Sequence, residues 1–429
     1  MRRGGAAPRS KVRGLEEHFF RSQWGRLVAA LTRIFGVHNL ALAEDVLQDA
    51  FCRALEVWKV RGVPENPSAW LMATAKNRAL DVVRRERKAR TFAPEMGRLL
   101  ETEWTLAALI DEAFAAETIS DEQLRMMFSC CHPRLPEEAR LALILSILCG
   151  FSAKEIASAF LTGRAAIEKR ILRGKKLLAG SKRLFDLGDA EFAQRLSTVR
   201  HALYLLFNEG YHGASPKSAV RAELCVEALR LTALLRRHPP AATPATNALA
   251  ALMCLHAARL PARTDSAGEL SALVDQDRSR WDARLLSEGL ALFERSAAGK
   301  EVSAYHIEAA IAVVHASARS LEETDWQAIV SLYDRLTDMA PSPVVALNRA
   351  IAVAQRDGAE RGLEELNAIP DRDRLSDYPF YPAALGELEL RRGRRPIARK
   401  HFQAALRAAR NGMERRFFEK RLRSCGGGA

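Results

Sequence analysis

Apolar residues recur every three or four positions along almost the whole chain, a spacing that places them on one face of an α-helix. Alanine, leucine, arginine and glutamate dominate, and the alternating patterns that predict strands are almost absent. We therefore predict an all-α protein. At 429 residues, 48% of them hydrophobic, the chain is long enough for two or three domains with separate cores.

The charge balance points to a polyanionic partner. The formal net charge is +13 at pH 7, which favours either nucleic acid or an acidic membrane surface. The longest strongly apolar run, residues 141–151, is too short to span a bilayer, and no apolar signal-peptide segment follows the basic N-terminus. We therefore expect a cytoplasmic protein without a membrane partner.

The residues that usually carry catalysis or bind metals form no recognisable pattern. Seven scattered cysteines argue against a disulfide framework. Cys130, Cys131 and His132 lack metal-ligand spacing, so no metal is expected, and we interpret the cysteines as small apolar residues at a helix end. No phosphate loop, nucleophile elbow or paired metal ligands occur, so we expect no cofactor and no enzyme activity. Three histidines are interpreted as structural or surface residues: His212, His306 and His315.

Charge divides the chain into four segments. Residues 13–95 are predicted to form a helical unit with a basic end, and residues 123–183 a second such unit. Residues 96–122 between them are markedly acidic and are interpreted as a linker. Residues 190–425 are predicted to form a longer helical array.

The array contains a repeat. Its clearest unit has the tetratricopeptide spacing of small and large apolar residues: Leu385, Gly386, Ala398, Phe402 and Ala405. The same offsets occur 36 residues earlier, at Ala350, Gly362, Leu366 and Ile369. A looser unit comprises Ile329, Tyr333, Leu336 and Pro341. Such repeats stack into a solenoid with a concave binding surface, although ordinary helical packing remains an alternative for residues 190–300.

Residues 152–178 have the pattern of a helix-turn-helix. Ser152 and Glu155 predict a capping box at the start of a short helix, and Gly163 lies in a tight turn before a second helix, 164–178. The side of this second helix predicted to be exposed is basic: Arg164, Lys169, Arg170, Arg173, Lys175 and Lys176, with Glu168 as its acid. Such a face fits the major groove of DNA, and a solvated basic face is the alternative.

Two earlier helices carry distinctive polar faces. In residues 43–58, Asp45, Gln48 and Asp49 lie apart from the apolar stripe and suit a partner that carries arginines. In the helix that begins at Pro67, one face carries an amide, an acid and three cations: Asn77, Asp81, Arg84, Arg85 and Lys88. Its cations could follow a DNA backbone while the amide at its start recognises a base. A solvated helix face is again the alternative.

Together these segments resemble the extracytoplasmic-function (ECF) class of bacterial sigma factors. Residues 43–51 resemble conserved regions 2.1–2.2, residues 70–85 resemble regions 2.3–2.4, and residues 135–157 resemble region 4. Residues 206–211, 276–281 and 341–350 resemble a subgroup of that class with a long tetratricopeptide-like C-terminal extension.

The resemblance implies a protein that directs RNA polymerase core to promoters and assists their opening. It implies that Asp45, Gln48 and Asp49 bind the β′ clamp helices, and that the β flap is a further polymerase contact. The −10 element would be contacted by Asn77, Asp81, Arg84, Arg85 and Lys88. The −35 element would be contacted by Arg164, Ala165, Lys169, Arg170 and Arg173. The extension would regulate, or dock on, a further partner.

The alternative is a ligand-sensing helix-turn-helix regulator that acts without polymerase. An ordinary repressor needs neither the acidic helix at 43–58 nor the basic helix at 70–90, so these two helices favour the sigma factor.

Overall fold

The computed structural model describes residues 9–89, 108, 111–114, 116–160, 162–180, 189–213, 218–265 and 267–426. Within these residues the regular structure is helical, apart from one isolated bridge between Thr264 and Leu270. The predicted all-α class is confirmed. The chain forms two compact units, residues 1–202 and 203–429. None of the described helices combines the length and hydropathy needed to cross a membrane.

The described residues of unit 1 include seven helices and the first part of an eighth. Their bounds are α1 (Arg9–Phe35), α2 (Leu40–Arg61), α3 (Pro67–Ala89), α4 (Ala116–Cys130), α5 (Glu137–Ile147), α6 (Ala153–Ala159), α7 (Arg164–Ala179) and α8 (Asp189–His212). The division between the two units falls within α8.

The first three helices enclose a core of aliphatic and aromatic side chains. Leu47 of α2 and Leu71 of α3 are fully buried because the apolar stripes of these helices face each other. Trp58 lies at the centre of an aromatic cluster, 5.5 Å from the ring centroids of both Phe20 and Trp70. The polar faces of α2 and α3 are thereby turned outward.

The next helices pack around α5, in which seven of the eleven residues are buried. Gly174 of α7 lies directly against Leu143 of α5. A larger residue at position 174 would overlap the Leu143 side chain, so the glycine lets the two helices approach closely. The first part of α8 belongs to the same core, since Phe192 stacks on Phe128 with ring centroids 4.2 Å apart. Arg195 donates a hydrogen bond of 3.0 Å to the Phe128 carbonyl.

Within unit 1, α1 packs with α2 and α3 and also contacts the later helices. The Trp24 indole donates to the Ile147 carbonyl at the end of α5, at 2.9 Å. Arg33 forms ion pairs of 2.9 Å with both Glu112 and Glu122. Two acids of the predicted linker are therefore paired with α1; residues 96–107, 109, 110 and 115 lie outside the described part.

The described part of unit 2 contains ten further helices. Their bounds are α9 (Ala222–Arg237), α10 (Pro244–Ala257), α11 (Ala283–Ser296), α12 (Ala304–Ser317), α13 (Trp326–Met339), α14 (Pro343–Asp357), α15 (Ala359–Asn367), α16 (Phe380–Arg391), α17 (Arg395–Ala408) and α18 (Gly412–Ser424). Short 3₁₀ turns connect several of them.

The two segments with repeat spacing each form a pair of packed helices, α14 with α15 and α16 with α17. Gly358 and Gly393 join the helices of each pair with φ of 95° and 74°, a conformation that favours glycine. Gly386 permits the close packing, because a Cβ there would lie 3.0 Å from the Phe402 ring. Leu366 and Phe402 occupy equivalent buried positions in the two pairs, as the repeat predicts.

The three histidines of the array are built into the fold, as predicted. His306 completes a capping box at the start of α12, where its Nδ1 accepts from the Ser303 backbone amide at 3.0 Å. His212 lies 2.9 Å from a terminal nitrogen of Arg263, and burial holds the pKa of His212 well below its usual range. Burial likewise lowers the pKa of His315 to about 4.

Candidate nucleic-acid interface

Helices α6 and α7 form the predicted helix-turn-helix. The Ser152 amide donates to the Glu155 carboxylate at 2.9 Å, and the Glu155 amide donates back to the Ser152 hydroxyl at 3.3 Å, which confirms the capping box. Ile156 and Ile167 are fully buried and fix the two helices on the core. The Thr162 amide donates to the Ala157 carbonyl at 2.9 Å and closes the turn.

The outer face of α7 carries four of its five predicted −35 residues in exposed positions: Arg164, Ala165, Lys169 and Arg173. Arg164 pairs along the helix with Glu168 at 2.6 Å. An exposed pair at this spacing stabilises the helix by only about 0.3–0.5 kcal/mol. The Arg164 guanidinium can therefore readily exchange Glu168 for a phosphate or a base.

Two cations of α7 lie elsewhere than predicted. Arg170 is half-buried and pairs with Glu138 of α5. Lys175 is also half-buried, and its Nζ lies 2.7 Å from the Glu44 carboxylate on α2. The prediction that these two side chains lie on the exposed face is wrong. They lie on the flanks of α7, where acids of α5 and α2 contact them.

Asp45, Gln48 and Asp49 lie together on the exposed face of α2, as predicted. Asp49 also accepts two hydrogen bonds from the guanidinium of Arg78 on α3, at 2.6 and 3.0 Å. The basic partner of this acidic face was missed in the sequence, since the i, i+4 spacing used there relates residues within a helix only.

The outer face of α3 carries Asn77, Asp81, Arg84 and Arg85, all exposed; the side chain of Lys88 lies outside the described residues. Leu71, Ala75 and Ala79 are fully buried on the opposite side, four residues apart. Asn66 caps the helix, because its side-chain oxygen accepts from the Ala69 amide at 3.0 Å. The helix is thus anchored with its mixed polar face toward solvent.

No metal-binding arrangement of His, Cys, Asp or Glu occurs among the described residues. Cys130 and Cys131 are buried at the end of α4. Burial raises the pKa of Cys131 to about 12, so the thiol stays protonated at neutral pH and behaves as an apolar side chain.

Comparison with known proteins agrees with this geometry. Residues 20–89 match the family described as Sigma-70 region 2, residues 125–178 match Sigma-70, region 4, and residues 195–297 match a family of unknown function (DUF6596). The exposed faces of α3 and α7 lie within the first two matches.

An uncharacterized protein of Rhizobium meliloti (strain 1021) is 39% identical over 398 residues, which cover 92% of each chain. No solved structure gives a significant match. The chain therefore belongs to the sigma-70 family: it is an ECF-like sigma factor with a C-terminal helical extension, and its role is promoter recognition with RNA polymerase.

Proposed function

We propose that the chain contacts the polymerase through α2, opens the −10 element with α3 and binds the −35 element with α7. The observation that carries the proposal is the outer face of α3. Its amide, acid and arginines are exposed along one side of a helix whose other side is fully buried. A face so arranged binds one unpaired base while its cations bind the phosphates of the strand.

In the polymerase contact, Asp45, Gln48 and Asp49 bind arginines of the β′ clamp helices. The two carboxylates are exposed and four residues apart, so both meet one partner helix. Asp49 exchanges its pair with Arg78 for an intermolecular pair, and Arg78 is thereby released toward DNA or solvent.

In the −10 contact, Asn77 and Asp81 lie one turn apart and hold the extruded base, while Arg84, Arg85 and Lys88 neutralise phosphates. Capture of the extruded base offsets part of the free energy of unstacking it, which is roughly a few kcal/mol. No ATP and no catalytic residue are needed, so the protein acts without enzyme activity or cofactor.

In the −35 contact, α7 enters the major groove with Arg164 and Ala165 at its N-terminal end. Lys169 and Arg173 follow along the exposed side, and each good bidentate base contact adds about 1–3 kcal/mol of discrimination. Arg170 contributes after release from Glu138. The helix-turn-helix docks on the β flap, the extension acts as a regulatory or docking module, and the protein works in the cytoplasm.

Permanganate footprinting reports unpaired thymines, so it separates the proposed opening role of α3 from the proposed duplex-binding role of α7. Asn77→Ala is expected to reduce the −10 bubble by about 5- to 150-fold, because one base contact is worth about 1–3 kcal/mol. Duplex binding at −35 should be retained. Lys169→Ala is expected to weaken duplex binding, and Arg61→Ala, an exposed change at the end of α2, serves as the control. An intact bubble with Asn77→Ala would remove that residue from the opening step.

A further inference from the structure

Unit 2 contains a group of cationic side chains that form no ion pair with any acid among the described residues. Arg263 is half-buried and its guanidinium stacks on the Tyr211 ring, 4.7 Å from the ring centroid. One of its terminal nitrogens lies 2.9 Å from His212 Nδ1. Its Nε is buried and has no hydrogen-bond partner among the described residues.

A second part of the group surrounds Trp281, which is almost fully buried. The guanidinium carbons of Arg259 and Arg278 lie 5.5 and 4.9 Å from the centroid of the Trp281 ring. Arg278 also donates to the carbonyls of His315 and Ala318. One terminal nitrogen of Arg278 and the Trp281 indole nitrogen are buried without a partner among the described residues.

Arg259 connects the two parts. Repulsion between its charge and those of Arg263 and Arg278 contributes to lowering the pKa of both, after the larger effect of burial. Burial, and then Arg259, lower the pKa of His256 to about 3, and the His256 ring lies 5.1 Å from that of Tyr211. The charge of Arg259 therefore acts on both other guanidinium groups and on the His256 imidazole.

Two other arginines of unit 2 that are buried or half-buried do have acidic partners. Arg221 pairs with Glu209 at 2.6 Å, and Arg410 pairs with Glu414 at the same distance. Within the described residues, none of the three grouped arginines makes an ion pair; Glu322 and Glu323 act on Arg278 only from a distance. Half-buried cations without a counter-ion are unfavourable unless an anion binds them.

We propose that Arg259, Arg263 and Arg278 form a binding site for a small oxyanion, a carboxylate or phosphate group, between the rings of Tyr211 and Trp281. Guanidinium groups present paired donors that match both kinds of oxyanion. The side chains are half-buried rather than spread over an exposed face, which suits a small molecule and not a nucleic-acid backbone. The sigma-factor extension would thereby respond to an anionic metabolite.

Calorimetric titration of the full chain with inorganic phosphate, and separately with succinate, tests the proposal at constant ionic strength set by chloride. The wild-type protein is expected to bind at least one of the two saturably, and the anion that binds identifies the chemistry. Arg263→Gln and Arg259→Gln are expected to weaken binding by about tenfold or more, since each removes a charge-assisted hydrogen bond. Arg335→Gln, an exposed arginine of α13, should bind as the wild type does.

Arg263→Lys keeps the charge but not the paired donors, so its affinity should fall between those of wild type and Arg263→Gln. Circular dichroism of each variant establishes that it is folded. Equal affinity in wild type and Arg263→Gln would mean an adventitious ion only. Absence of binding by both anions, or binding only of an acidic peptide such as polyglutamate, would also overturn the proposal. The measurement needs neither polymerase nor DNA, so its result is independent of the promoter contacts proposed above.

Discussion

Lys175 of α7 forms an ion pair with Glu44 of α2, and its Nζ lies 2.7 Å from each of the two carboxylate oxygens. Glu44 is only 12% exposed and precedes Asp45, the first residue of the proposed polymerase-binding face. The flank of the helix proposed to bind the −35 element is thus paired with the helix proposed to bind polymerase, within one compact unit.

A double-mutant cycle measures this pair. Glu44→Gln and Lys175→Met are each expected to lower the free energy of unfolding, because each leaves a half-buried charge without its partner. We expect a coupling energy of about 1 kcal/mol, the upper part of the range for partly exposed pairs. Urea unfolding followed by tryptophan fluorescence provides the measurement, and additive effects of the two changes would contradict a significant pair.

Charge reversal on α2 tests the proposed polymerase contact. Asp45→Lys with Asp49→Lys should weaken association with β′ by about tenfold or more, because two attractive pairs become repulsive. Asp49→Lys also breaks the pair with Arg78, so circular dichroism must show unchanged helicity. Glu56→Lys, an equally exposed reversal on α2, is the control. Unchanged capture of β′ by the double variant would refute the assignment.

Removal of the extension tests its regulatory role. The fragment should end at residue 202, because α8 packs on unit 1 through Phe192 and Arg195 up to that point. Promoter-specific transcription by this fragment is expected to differ from that of the full chain by about 5- to 150-fold, the usual range of coupling between a module and its target. Matching activity and promoter choice for the two proteins, in vitro and in cells, would show that the extension is dispensable.

The pH dependence of unit 2 should report on Glu308 of α12. Burial raises the pKa of Glu308 to about 7, while the Tyr204 hydroxyl donates to its carboxylate at 2.9 Å. The folded state therefore holds a proton that the unfolded chain has released above about pH 4.5. This contribution to stability is complete below that pH and falls as pH rises toward 7, by an amount on the order of 3 kcal/mol.

Glu308→Gln should remove this dependence, so the Tm of the variant relative to that of the wild type should rise between pH 5 and 8. Other titrating groups cancel in that difference. A pH-independent difference would mean that Glu308 titrates near its ordinary pKa in the folded protein.

Local patterns were sufficient to predict much of this molecule. The capping box of Ser152 and Glu155, the bounds of α7 and the exposed faces of α2 and α3 each follow from residues within one helix and its cap. The spacing around Gly386 predicted its close packing, because small residues at helical intervals have one common use.

Long-range pairing was decided by the tertiary structure alone. The sequence showed Lys175 as one more cation on a basic helix, yet its partner Glu44 lies 131 positions away. Likewise Arg259, Arg263 and Arg278 are ordinary arginines in the sequence; only their convergence on Tyr211 and Trp281 without acids distinguishes them. The physical reason is that helical periodicity specifies which side of a helix is buried, whereas the charge that a half-buried side chain meets depends on which other helix packs there.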